Sequence, residues 1–410
     1  MTHTLQDNIL ETFFGLQDYF LTKHEKVGDT IFLHIHRSAK TQCGTCLTSI
    51  TEGKYDSNKR RIYLGNFNTM PVYAILKQFR IHCPTCGCIR TEYQSISKGK
   101  SRYAKDIGDV VIKYTQNMSC SEASRLLKIP ERTLREIDKT KLKELEPNHI
   151  NNVPDLKIIG IDEVAHKRGH NYGTVMINYK DSKVVWVEKE RKSESLEKIY
   201  KMFANSFPKL EVASMDFWRP FENATSKKHP QAVIVYDLFH LARILNRKVE
   251  EERRAYQKTL SDEDRKYIKK HTRWILLRRR CNYTEYHEKR LQELKEHNEK
   301  LYEMYLLKEE FLSIFKKGTK REDARIDITN WIAIVKQTDF EALKKFGSSI
   351  LKRIEKILNW FDYPVSNGRS EGINNVIKTL LKRGYGYKDF EYFRLKVLQK
   401  CGYLMVSPKC

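Results

Sequence analysis

Between Leu156 and Asp237 the chain alternates in a way that few folds accommodate. Strand-like runs cover Lys157 to Ile161, Gly173 to Asn178 and Val184 to Glu188, and an amphipathic helical stretch follows from Ser193 to about Ser206. Two more strand-like runs, Glu211 to Met215 and Ala232 to Tyr236, flank a segment around Phe217 to Thr225. The order is therefore β-β-β-α-β-α-β. Asp162 ends the first strand, Asp216 the fourth and Asp237 the fifth. A carboxylate just past a buried apolar strand costs free energy unless it is paired or binds metal, so these acids mark a site. In a ribonuclease-H-like mixed sheet the first and fourth strands are neighbours, which sets Asp162 beside Asp216. Adjacent carboxylates raise each other's pKa unless cations neutralise them. Two divalent ions roughly 3.5–4 Å apart do so while organising an in-line attack at phosphorus.

A third carboxylate is needed, and Glu371 supplies it. Asn367-Gly368 is a turn signal, after which Glu371, Asn374, Asn375 and Lys378 share one helical face. Asp216 and Glu371 are 155 positions apart, too far for a single loop. Residues 241 to about 360 carry long charged helical stretches (Leu245 to Gln257, Tyr283 to Lys316, Phe340 to Phe361), so a helical domain is inserted there. Leu291, Leu294, Leu301, Tyr305 and Phe311 read as packing inside that bundle, and core positions are also the expectation for Trp274, Trp331 and Trp360. Glu163 alternates to the opposite face from Asp162 and reads as structural. His166 and His170 follow Asp162 in a loop, placed either to approach DNA or as ordinary surface histidines.

The amino-terminal third carries Cys43-Gly-Thr-Cys46 and Cys83-Pro-Thr-Cys86, separated by 36 residues with strand-like stretches at Lys59 to Leu64 and Val72 to Phe79. Two such pairs converge naturally on one tetrahedral ion, giving a zinc-ribbon-like module with one structural Zn2+; Cys88 and His82 are alternative fourth ligands. The chain has nine cysteines and starts without a basic leader, which favours metal chemistry over a disulfide framework. Beyond a helical stretch at Tyr103 to Gln116, Ser121 to Leu127 and Glu131 to about Lys141 read as two helices joined through Ile129 and Pro130. In this helix-turn-helix, Arg132, Thr133, Arg135 and Lys139 face a DNA groove.

Charge supports a polyanionic partner. Residues 1–150 hold 23 basic and 16 acidic side chains, residues 151–240 hold 14 and 12, and residues 241–410 hold 39 and 24, giving +7, +2 and +15 of a net +24. A near-neutral middle between basic ends is the footprint of a nucleic-acid protein. Apolar runs are far shorter than the roughly 20 residues a membrane helix needs, so no membrane partner and a cytoplasmic location are expected.

Taken jointly, Gly160-Ile161-Asp162-Glu163, Ser214-Met215-Asp216-x-Trp218, Tyr236-Asp237-x-Phe239-His240, Ser366-Asn367-Gly368-x-x-Glu371-Gly372-x-Asn374-Asn375 and Lys382-Arg383-Gly384-Tyr385-Gly386-Tyr387 resemble the ISL3 group of bacterial insertion-sequence transposases. The resemblance implies a DDE transposase acting on double-stranded DNA, both transposon ends and target, as a homodimer or higher homo-oligomer. Asp162, Asp216 and Glu371 would hold two Mg2+ or Mn2+ ions, Asp237 and His240 would support them, and Arg369, Lys378, Lys382 and Arg383 would contact DNA. The expected division is a zinc-binding domain (1–100), a helix-turn-helix domain (101–150), a first part of the ribonuclease-H-like core (151–240), a helical insertion (241–360) and a second part of the core (361–410). A DNA-binding regulator with an idle centre and a structure-selective nuclease share these features and stay open on sequence alone.

Overall fold

The computed structural model describes residues 5–51, 54–167, 171–316, 318–365, 368–384 and 386–404, with backbone alone for 5–9, 267–271 and 368–369. In chain order the first elements are α1 (Leu5–Phe14), β1 (Tyr19–Val27), β2 (Thr30–Arg37), β3 (Lys54–Phe67), β4 (Met70–Cys83), β5 (Cys88–Thr91), α2 (Ile107–Thr115), α3 (Cys120–Leu127) and α4 (Glu131–Asn152). Then come β6 (Ile158–Lys167), β7 (Asn171–Asn178), β8 (Lys183–Lys189), α5 (Ser193–Met202), β9 (Val212–Met215), α6 (Arg219–Lys228) and β10 (Val233–Tyr236). The helices α7 (Leu238–Gln257), α8 (Asp262–Leu277), α9 (Glu285–His297), α10 (Glu299–Ile314), α11 (Arg321–Gln337), α12 (Glu341–Leu351), α13 (Ile354–Asp362), α14 (Gly368–Arg383) and α15 (Phe390–Cys401) complete the chain. It divides into two compact units, residues 1–149 with 382–400 and residues 150–381 with 401–410. Residues 382–400 thus cluster with the amino-terminal unit and not with the rest of 361–410. No described helix is long and apolar enough to cross a membrane.

The first unit holds a sheet in the order β1-β2-β4-β3, with β5 paired to β4. Asn68 and Thr69 both take positive φ, the geometry that joins β3 to β4 through a two-residue hairpin turn. Leu33, Ile35, Ile62, Val72, Ala74 and Leu76 bury one face against Leu10 of α1. A second core joins Tyr63 of the sheet to Val111, Ala123, Leu127, Ile129 and Leu134 of the helical part. Here α3 starts at a capping box in which Ser119 and Glu122 satisfy each other's backbone N–H, and it ends at Lys128 in the left-handed region. Helix α15 is tied to α4 and α2 by a buried polar knot. Asp138 is fully buried, and its carboxylate accepts from Thr115 Oγ1 at 2.5 Å, Tyr392 OH at 2.6 Å and Lys396 Nζ at 3.2 Å.

In the second unit the sheet order is β10-β9-β6-β7-β8, with β6-β7-β8 antiparallel and β9 and β10 parallel to β6 and to each other. Its inner strands β9 and β7 are buried on both faces over most of their length, as strands covered on two sides must be. The segment around Phe217 to Thr225 is helix α6. Its Glu222 accepts from Tyr236 OH at 2.8 Å, Arg353 Nε at 2.9 Å and Lys356 Nζ at 2.5 Å, pinning the last insertion helix to the sheet. The expected stretch Tyr283 to Lys316 is two helices, because Asn298 leaves the helical region and caps α10 through Leu301 N. Leu291, Leu294, Leu301, Tyr305 and Phe311 are all buried, and Trp331 is 1% exposed with its Nε1 donating to Leu307 O. Trp360 is half-buried. Trp274 departs from the core expectation: at 64% exposure it lies on the surface of α8.

Candidate active site

The register of the parallel strands explains why three aspartates meet. β9 pairs with β6 as far as Ile161↔Met215 and with β10 as far as Tyr236↔Met215. Asp162, Asp216 and Asp237 are each the next residue, so all three emerge at one level of the sheet, and all are buried. Asp162 does not end its strand, as the sequence suggests. β6 runs on to Lys167 because its antiparallel partner β7 continues where β9 stops, pairing Asp162 with Val175. That extension also carries His166 into the sheet, where it is buried and not part of a surface loop. His170 lies outside the described residues.

Asp237 turns the chain. Its N–H donates to Met215 O at 2.9 Å and its Oδ1 accepts from Phe239 N at 3.0 Å, capping α7 and setting His240 in the first turn. His240 Nε2 then lies 3.1 Å from Asp216 Oδ1 and 3.7 Å from Asp237 Oδ2. Arg243, one turn further on, has a guanidinium nitrogen 3.0 Å from His240 Nδ1. A guanidinium only donates, so Nδ1 accepts and the ring proton sits on Nε2, near Asp216 but not directed along a hydrogen bond to its Oδ1. Burial, helped by the Arg243 charge, lowers the His240 pKa to about 4 and keeps the ring neutral.

Asp162 is held on both oxygens: Oδ1 accepts from Glu163 N at 2.7 Å and Oδ2 from Asn374 Nδ2 at 2.6 Å. Burial raises its pKa against those two bonds. Asp216 is pushed up to about 9, first by burial and then by the neighbouring Asp162, Glu163 and Asp237 carboxylates. Its Oδ1 is buried and accepts no well-directed hydrogen bond among the described residues. Ligand atoms of Asp162, Asp216 and His240 all lie within 4.8 Å of one another. A carboxylate set that cannot ionise fully alone, with an unsatisfied oxygen turned inward, fits a hard divalent cation.

Glu371 is not in that cluster. It is exposed on α14, three residues before the Asn374 that grips Asp162. Helix α14 docks through Ser370, which is 2% exposed. Gly160 permits this approach: a Cβ there would meet Tyr179 Cε2 at 2.5 Å and Ser370 Oγ at 3.3 Å. Glu163 pairs with Arg191 at 2.8 Å, and Arg191 is itself packed over the rings of Tyr172 and Trp218. Arg243 was not evident as part of the site, although its one-turn spacing from His240 was visible in the sequence.

The four cysteines form the second cluster. Sγ separations are 3.9 Å for Cys43 and Cys86 and 3.4 Å for Cys46 and Cys83, near the roughly 3.8 Å edge of a tetrahedron with 2.3 Å metal–sulfur bonds. The two loops are copies: Leu47 N donates to Cys43 O and Gly87 N to Cys83 O, both residues with positive φ, while Thr45 N and Cys86 N donate to the first sulfur of each pair. Gly44 is required because a Cβ would lie 2.5 Å from Thr91 O. Hydrogen bonds led by the Thr48 hydroxyl lower Cys46 to about 6, whereas its sulfur neighbours push Cys86 up to about 12, so the four thiols cannot all ionise without a cation. Cys88 donates to Cys86 O and His82 is exposed; neither joins the cluster.

Of the expected DNA-facing residues on α4, Arg132 is exposed, Thr133 bonds Tyr103, and Arg135 pairs with Glu131 at 2.8 Å. Lys139 is engaged by Asp389 at 2.5 Å and Glu391 at 3.0 Å. Lys378, Lys382 and Arg383 are exposed on α14, with Arg383 donating to Asn117 O at 3.2 Å. The Arg369 side chain falls outside those described.

The sequence profile of the ISL3-type DDE transposase family, described as "Transposase", matches residues 159–397, more than half of the chain. The transposase for insertion sequence element IS1001 of Bordetella parapertussis is 27% identical over 406 residues, covering 96% of this chain and 98% of that protein. The transposase for insertion sequence element IS1557 of Mycobacterium tuberculosis is 22% identical over 372 residues, covering 85% and 82%. Among solved structures, the Drosophila P element transposase strand transfer complex aligns with a TM-score of 0.35 and 9% identity over 72% of this chain and 91% of that one.

Proposed function

The chain belongs to the ISL3 family of DDE transposases, and we propose that it binds the terminal inverted repeats of its own insertion sequence, cuts them at the Asp162–Asp216 cluster and joins the freed ends to target DNA. The observation that carries the reading is the convergence of two buried carboxylates and His240 at one end of a sheet ordered β10-β9-β6-β7-β8, the strand order of a ribonuclease-H-like core. Asp162, Asp216 and Glu371 would hold two Mg2+ ions, which when bound supply activation of the attacking oxygen and neutralise charge on the leaving one.

The protein's own part is positional. Asn374 holds Asp162 in one orientation, and neutral His240 stands beside Asp216 without adding charge. Asp237 fixes the helix start that carries His240. The four cysteines would bind one structural Zn2+ that orders the amino-terminal module, and the helix-turn-helix would read the ends with Arg132 foremost. Lys378, Lys382 and Arg383 would hold phosphates, and pairing two ends calls for at least a homodimer. Incubating the protein with Mg2+ and duplexes carrying the element's own ends tests this: nicks at the ends and joined products are expected. Binding without cleavage would favour an idle regulator, and cleavage without joining a nuclease.

A further inference from the structure

One sequence motif is only half used by the metal cluster. In Tyr236-Asp237-x-Phe239-His240, Asp237 and His240 face the carboxylates, yet Phe239 between them is 69% exposed. Its ring meets His240 edge-on at 5.9 Å. It lines a cavity of about 400 Å³ with Phe311, Phe315, Arg243, Asn246 and Arg279. Phe239 is the exposed ring of this lining, Phe315 is half-buried and Phe311 lies fully buried behind them. Asn246 Oδ1 is buried there and accepts no hydrogen bond among the described residues. Arg243 and Phe239 sit within one helical turn of His240, so this part of the lining lies close to the Asp162–Asp216 cluster.

We propose that this cavity takes a single nucleobase turned out of the duplex whose phosphate lies at the carboxylate cluster. The inference rests on the transposase reading of that cluster. The chemistry matches in each part. Aromatic faces stack on any base, which suits a pocket that grips one nucleotide irrespective of its identity. An orphaned amide oxygen is an acceptor awaiting the exocyclic amine or ring N–H of a base, groups freed when the pair opens. Arg279, for which no ion pair is seen among the described residues, meets a flanking phosphate, while Arg243 stays on His240. The volume lies at the lower end of ligand pockets, roughly 300–1,000 Å³, and has room for one heterocycle.

The test uses the full-length protein and duplexes bearing the element's ends. 2-Aminopurine is placed in turn at each position flanking the cut, with Ca2+ to hold the complex uncut. One position should change fluorescence with the wild type and not with Phe239→Ala. In Mg2+, Phe239→Ala should cut intact ends about five- to hundredfold more slowly, the loss of one stacking contact. An abasic site at the responsive position should bring the variant back to the wild-type rate, because no base then needs a platform; Phe239→Trp should behave as wild type on both substrates. A wild-type protein that cuts its ends with no responsive position overturns the inference, as does a Phe239→Ala variant equally slow on abasic and intact ends. Failure of the wild type to cut any end overturns the underlying transposase site, and that outcome is read without any variant.

Discussion

The two ligand clusters in this protein solve the same electrostatic problem in opposite ways. The cysteine cluster is built from two copies of one tight loop, with every sulfur contributed by a short spacing and each loop closed by its own backbone bonds. The carboxylate cluster draws single residues from β6, the end of β9 and the start of α7, with a helix 212 positions from Asp162 supplying the hydrogen bond that orients it. The first has four ligands and no open position, which is how a structural site is made. The second leaves Asp216 Oδ1 unsatisfied and a third acid, Glu371, outside. An incomplete set is what chemistry requires, because reacting groups must reach the ion.

Breaking the open cluster should have the largest effect on activity. Asp162→Ala and Asp216→Ala should each slow end cleavage by about 10³-fold or more, as loss of several kcal/mol of charge stabilisation entails, while gel-shift binding to the ends persists. Glu371→Gln should match them if α14 brings its carboxylate to the ions; an Asp237→Ala loss with normal Asp216→Ala cleavage would reverse the assignment. Breaking the closed cluster should act on folding instead. Cys43→Ser or Cys86→Ser should release about one equivalent of zinc, measured by elemental analysis, and unfold the amino-terminal module. Wild-type protein purified without zinc would contradict this.

A pH series sharpens the contrast. In metal-free protein Asp216 keeps its proton to about 9 when folded, against 3.8 for an ordinary aspartate, and His240 stays neutral down to about 4 against 6.5. Below 6.5 the folded state holds the aspartate proton and the unfolded state the histidine proton, so the two effects offset. Above 6.5 only the folded state holds an extra proton, so the stability of this unit should fall as pH rises towards 9. Divalent ions should abolish that fall by displacing the proton. Thermal melts with and without Mg2+ read it directly, and a stability that rises with pH over this window would contradict the burial argument.

The smallest effect concerns phosphate grip. Lys382→Ala and Arg383→Ala together should weaken binding to all duplexes alike and lower the log–log salt slope by about 0.9 for each lost contact. Arg132→Ala should selectively weaken binding to the element's own ends, by about 1–3 kcal/mol.

How legible these features were followed the range of the interactions. The cysteine loops are local and could be read from spacing, whereas the sequence reading starts the next helix at Ser121 and passes over the Ser119–Glu122 cap. The meeting of Asp162 with Asp216 was legible too, because the succession of strands and helices suggested an arrangement in which the first and fourth strands are neighbours. The length of β6 was not, since it depends on β7 outrunning β9. Nor was the engagement of Lys139 by Asp389 and Glu391, which brings together residues some 250 positions apart. Asp138 is buried by contacts from α15, whose Tyr392 and Lys396 lie more than 250 positions away in the chain. Gly160 was part of a quoted motif, but its reason, the close approach of Tyr179 and Ser370, exists only in three dimensions.

The central claim is that Asp162 and Asp216 bind the catalytic ions directly, and a change of ligand softness tests it most sharply. Asp216→Cys should be inactive with Mg2+, because a thiolate is a poor partner for that hard ion, and should regain cleavage with Mn2+, which tolerates sulfur better. Asp237→Cys should show no such metal switch. Full Mg2+ activity in Asp216→Cys, or Mn2+ rescue confined to Asp237→Cys, would contradict the account.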